Sequence, residues 1–117
     1  MPSPPLAPDD GPIDIEHLQR MTLGDASLER EVLAMFSAQA VGLVGALATL
    51  PSDARALAHT LKGSARGIGA WRVARAAEAV ELAAGSEAEL DLEAAIARLG
   101  AAAAETRALI ADLLQPN

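Results

Sequence analysis

The chain has no cysteine and no tyrosine, and only one tryptophan and one phenylalanine among its 117 residues. Without cysteine it can form no disulfide, thiol nucleophile or thiolate metal site. Aromatic residues at 2% leave little of the material that strands prefer, and no segment stands out as a strand. No run of about 18 apolar residues is free of charge or turn signals. The N-terminus also lacks the basic-then-apolar order of a signal peptide. These absences predict a soluble, cytoplasmic chain without a membrane partner. Positive charge is scarce as well: 9 Lys+Arg against 16 Asp+Glu give a net charge of −7, which argues against nucleic acid as a partner. Most of the acidic surplus reads as a solvated, mutually repulsive surface.

Alanine dominates the 51% of residues that are hydrophobic, and alanine is the strongest helix former. The expectation is therefore an all-α protein, long enough to bury one core. Residues 1–12 hold five of the seven prolines and read as a disordered tail, because proline excludes helix and the segment has little to bury. Residues 13–117 read as one helical domain. A short helix is expected over Ile13 to Met21, capped by Asp14, with Ile15, Leu18 and Met21 turned inward as a lid. Asp25 caps a long helix reaching about Leu50, whose inner face reads Leu28, Val32, Met35, Phe36, Gln39, Leu43 and Leu47. Gly42 and Gly45 in its middle imply either close helix approach or a bend. Pro51-Ser52 ends it and caps a third helix that runs to about Ile68, where Gly67 and Gly69 stop it. Val73, Ala77, Val80 and Ala84 form the stripe of a fourth helix ending at Gly85. Ser86 with Glu89 resembles a capping box for a last helix lined by Leu92, Ile96, Leu99, Ala103, Leu109 and Leu113. Four amphipathic helices on short connections predict an antiparallel up-down-up-down four-helix bundle with a short N-terminal lid helix.

The segment Ala58-His59-Thr60-Leu61-Lys62-Gly63-Ser64-Ala65-Arg66-Gly67-Ile68-Gly69-Ala70 concentrates the chemistry. At 3.6 residues per turn His59 shares a face with Arg55, Lys62, Gly63 and Arg66, while Leu57, Leu61, Ser64 and Ile68 fall opposite. The imidazole is thus expected to face solvent amid cationic side chains. Gly63, one turn on, costs a helix interior about 1 kcal/mol relative to alanine, and it leaves a notch through which another protein can approach the ring. A hairpin folded about Gly69-Ala70 places Glu81 opposite His59. A carboxylate accepting from Nδ1–H would leave Nε2 as an outward nucleophile. Lys62 lies within reach of a phosphoryl group on Nε2. Arg55 and Arg66 would form a weaker electrostatic ring that meets a partner. His17 has no lysine or glycine at matching offsets and reads as a surface or lid residue. Trp71 reads as packing for the hairpin turn.

The run His59-Thr60-Leu61-Lys62-Gly63-Ser64-Ala65 with Gly69-Ala70 closely resembles the signature of histidine-containing phosphotransfer (HPt) domains. The resemblance implies a four-helix bundle whose exposed histidine takes a phosphoryl group from a receiver-domain aspartate and gives it to another receiver. His59 matches the phosphorylated histidine, Lys62 the phosphate-stabilising lysine and Gly63 the access glycine. Where the family often carries a glutamine to orient the ring, this chain has Glu81. The implied partners are response-regulator receiver domains and a hybrid sensor histidine kinase. No acidic or histidine cluster suits a metal and no glycine-rich loop precedes a helix, so the chain has no cofactor of its own, and Mg²⁺ is expected in the receiver. It reads as a phosphotransfer intermediate rather than a kinase or hydrolase. The competing reading is a non-phosphorylated helical adaptor that docks receiver or kinase domains. A dimerising histidine-kinase core is disfavoured, because such cores follow their histidine with an acidic residue and a nearby proline, and Thr60 through Gly69 contain neither.

Overall fold

Aspartates set where the first two helices begin. The computed structural model describes residues 11–86 and 89–116, with Glu89 described by its backbone alone. Most of the proline-rich tail and the Glu89 side chain of the expected Ser86–Glu89 capping pair therefore lie outside the described residues. Helix α1 spans Ile15–Met21 and α2 spans Ala26–Leu47. Asp14 Oδ1 accepts from the His17 N–H at 3.1 Å, and Asp25 Oδ1 from the Leu28 N–H at 3.0 Å. Each bond satisfies an amide that a helix leaves free at its first turn. Helix α3, Ala54–Ile68, starts one residue later than Pro51-Ser52 implied: Asp53 is its N-cap and makes no side-chain cap bond. Backbone bonds hold this entry instead, from the Ala54 N–H to the Pro51 carbonyl at 3.2 Å and from the Leu57 N–H to the Asp53 carbonyl at 3.1 Å. Gly67 continues the helix, and the stop is Gly69 alone, at φ +82°. Helix α4 spans Trp71–Ala84 and α5 spans Glu89–Leu114. The described residues are all-helical in this sense, with five helices and no strand.

Helix α3 packs on α4, α4 on α5, α5 on α2 and α2 on α3, while α1 rests on α3. Small side chains fill much of the centre: Ala40, Ala58, Ala65, Ala70 and Ala77 are fully buried beside Leu47, Leu61, Val73, Val80 and Leu99. Such a core lets helix axes approach closely, since interaxial distance follows the side chains at the contact.

Three inner faces differ from their sequence reading. In α1 only Leu18 is buried, whereas Ile15 and Met21 are exposed. Ile13, ahead of the helix, is buried in their place, because a helix of fewer than two turns presents little more than one residue to the protein. In α2 the buried positions are Leu33, Phe36, Ala40 and Leu47. Leu28 and Met35 are exposed and Gln39 is half-buried, so the inner face is rotated by about a quarter turn from the expected one. In α5, Ala95, Thr106 and Ile110 are buried and Leu113 is exposed.

Gly42 and Gly45 are exposed, and a Cβ on either would meet nothing within 4 Å. They mark no close helix approach. By length and composition α2 is apolar enough for a membrane span, although Ser37, Gln39, Gly42 and Gly45 interrupt its apolar run. Its buried side chains nonetheless sit in the common core with α3 and α5.

Candidate functional site

The α3–α4 hairpin makes the site. Left-handed Gly69 reverses the chain, and the Ala70 N–H closes on the Ala65 carbonyl at 2.8 Å. Residues equidistant from this turn then share a level, and His59 meets Glu81. Leu61, Ala65 and Ile68 anchor the inner face of α3, so the opposite face must carry the imidazole outward. The His59 side chain is 70% exposed, and its Nδ1 lies 2.9 Å from Glu81 Oε2.

Glu81 serves two partners. Its other oxygen, Oε1, pairs with Lys62 Nζ at 2.6 Å, and both side chains are largely buried, at 15% and 14% exposed. The hydrogen bond from Lys62 holds the Glu81 carboxyl below its ordinary range; partial burial opposes this, and the His59 contact adds to it. The group is therefore a carboxylate at neutral pH and can only accept. In the neutral ring its neighbour Nδ1 must carry the proton, leaving the Nε2 lone pair free.

The structure thus brings His59, Lys62 and Glu81 together. A Cβ on Gly63 would meet nothing within 4 Å, so the helix surface beside the ring is open there. Arg55 and Arg66 are both exposed. Arg66 lies in the last turn of α3, where a cation also complements the helix dipole. Arg55 points across the hairpin: its Nη1 lies 4.0 Å from where a Cβ on Gly85 would stand. It lines, with Ser52, Asp53, Thr60, His59 and Glu81, an open concavity of about 700 Å³ beside the imidazole. Lys62 does not border that space.

Sequence reasoning did not find the Lys62–Glu81 pair, since a lysine one turn from the ring can equally well reach outward. It also missed the attachment of α1 to the hairpin turn. There the Asp14 N–H donates to the Gly69 carbonyl at 2.9 Å, and the Trp71 indole N–H donates to Asp14 Oδ2 at 3.0 Å. These bonds, Trp71 first and the His17 amide second, lower the Asp14 carboxyl from its ordinary value. His17 is not a plain surface residue: it is half-buried, with its ring edge-on to Trp71 at a centroid separation of 4.9 Å. Aspartate and tryptophan that lie 57 positions apart leave no local signal of this contact. No group of three or more metal-ligating side chains occurs among the described residues.

An outward imidazole is thus braced by a carboxylate from the next helix of an all-helical scaffold. The family model for the Hpt domain matches residues 31–115, and the chain belongs to this family. Membership implies a role in histidine phosphotransfer within two-component phosphorelays. Searches of curated proteins and of solved structures gave no match.

Proposed function

We propose that this chain is a phosphorelay carrier that accepts a phosphoryl group on His59 from a receiver-domain aspartate and passes it to a second receiver. The observation that carries this reading is the 2.9 Å contact between His59 Nδ1 and Glu81 Oε2 on a ring left 70% exposed. In the forward step the Nε2 lone pair attacks the phosphorus of the aspartyl phosphate. The N–P bond forms as the P–O bond to the aspartyl carboxyl breaks, and that carboxylate leaves with its electron pair. Nδ1 keeps its proton throughout, so the product is a phospho-imidazolium whose positive charge lies against Glu81. Transfer to the next receiver aspartate releases the neutral ring again, with no proton exchanged with solvent. Glu81 is ionised in both states, and its coulombic attraction to the positive phosphorylated ring favours the charged carrier form over the resting ring.

Gly63 serves as the access point and Arg55 and Arg66 as contacts for the incoming receiver. Lys62 is the lysine that the resemblance assigns to the phosphoryl oxygens, and it can reach them only by sharing its ammonium protons with Glu81. Mg²⁺ enters with the receiver, which balances charge on the moving group. In this reading α2–α5 run up-down-up-down, α1 covers one end as a lid, and the chain works in the cytoplasm with receivers and a hybrid sensor kinase as its partners.

Incubation with a phosphorylated receiver and Mg²⁺ should yield an acid-labile, base-stable phosphoprotein. His59→Gln should abolish the label with helical content unchanged, and His17→Gln should retain it. A chain that binds receivers tightly yet takes no label from any of them would be an adaptor, and the carrier reading would be wrong.

A further inference from the structure

The geometry points to Arg55, rather than Lys62, as the side chain that meets the phosphoryl group on His59, with Lys62 acting through Glu81 as a positioning residue. This inference rests on the carrier reading above. Lys62 is 86% buried by its side-chain exposure of 14%, and its ammonium already sits 2.6 Å from Glu81 Oε1. A phosphoryl group on Nε2 projects into the solvent side of the ring, opposite the Nδ1 atom that faces α4. The open concavity beside His59 is bordered by Arg55, Thr60 and Glu81 but not by Lys62.

Arg55 precedes His59 by four residues, so the two side chains are neighbours on one helix face. Its guanidinium lies across the hairpin, with Nη1 4.0 Å from where a Cβ on Gly85, one turn beyond Glu81, would stand. No ion pair of Arg55 occurs among the described residues. Asp53 also borders the concavity, but it forms no ion pair with Arg55. Arg55 therefore remains available to an anion. Its planar fork matches two phosphoryl oxygens at once, which a lysine ammonium cannot do. The division of labour is then physical: Lys62 fixes the carboxylate, the carboxylate fixes the ring, and Arg55 offsets the charge of the arriving group.

The test uses the full chain phosphorylated by phosphoramidate, in which the N–P bond to ammonia breaks as the bond to His59 Nε2 forms. The ratio of phosphorylated to free chain at fixed donor is read by phosphorus NMR. Arg55→Gln should lower that ratio about threefold, the scale of a solvent-exposed ion pair, and the loss should shrink in high salt. Arg55→Lys should recover part of it. In the unphosphorylated chain, Lys62→Met should raise the titration point of the Glu81 carboxyl, followed by carbon NMR, while Arg55→Gln leaves it in place. An unchanged ratio in Arg55→Gln, with a lowered ratio and an unmoved Glu81 titration in Lys62→Met, would overturn the assignment. A wild-type chain that takes no phosphoryl group on His59 from either phosphoramidate or receivers would bring down the carrier reading itself.

Discussion

Replacing Gly69 by alanine tests the turn on which the site's register depends. Gly69 has φ +82°, and a Cβ there would stand 2.9 Å from the Asp14 carbonyl oxygen, 3.1 Å from Asp14 Cβ and 3.3 Å from His17 Cβ. Two costs follow. A side chain in the left-handed region costs roughly 1–2 kcal/mol. The clash is with backbone, so the start of α1 must move, weakening the Asp14–Gly69 and Trp71–Asp14 bonds. Each such bond contributes on the order of 1 kcal/mol. The sum is about 2–4 kcal/mol, or a fall of about 1–2 M in the urea midpoint at a typical slope for a small domain. Circular dichroism should follow the whole helical protein. The fluorescence of Trp71, the only tryptophan in the chain, should report the release of α1 at still lower urea. Gly67→Ala is the control: it lies in α3 with nothing within 4 Å of its Cβ position and no positive φ, so it should gain up to about 1 kcal/mol from helix propensity. A Gly69→Ala midpoint equal to that of the wild type would refute the reasoning.

Acid provides a second test. Because the Glu81 carboxyl is held below its ordinary value of 4.5 and that of Asp14 below 3.8, their contributions to stability are present above those values. They are lost as the pH falls through the lower folded ones. Urea midpoints measured from pH 7 to pH 3 should decline on the acid side, and less steeply in Glu81→Gln and Asp14→Asn; identical slopes in all three chains would contradict the pairing described. Gly63→Ala should stabilise the fold by about 1 kcal/mol, since it adds helix propensity in open space. Gly63→Leu should leave the fold intact yet slow transfer from a phosphorylated receiver, and an unaltered rate would remove the access role.

The site was legible in the sequence to the extent that it lies on the most two-sided helix. Along α3 the charged and apolar residues separate cleanly, so the outward direction of His59 follows from spacing alone. Its pairing with Glu81 follows from counting back from Gly69-Ala70. The inner face of α2 was harder to read, because Val32, Leu33, Met35, Phe36, Val41, Leu43, Val44 and Leu47 surround the helix on more than one side. Periodicity then has no single maximum, and Met35 and Ala40 were exchanged between outside and inside. Alanine adds to the difficulty, since Ala40 and Ala58 are fully buried but Ala34, Ala38, Ala46 and Ala56 of the same helices face water. Asp14 and Asp25 were readable as caps because the cap bond is local. The partners of Lys62 and Trp71 were not, because each is chosen by three-dimensional proximity between helices.

The carboxylate that answers to two nitrogen-bearing neighbours has one further consequence. With Oε1 and Oε2 engaged separately, the end of Glu81 has lost its rotational freedom in the folded chain before any receiver arrives. The entropy of arranging the nucleophile is therefore spent at folding and is not charged again at each encounter. On the proposed carrier reading a visiting receiver need only dock, and brief, weak collisions suffice for transfer.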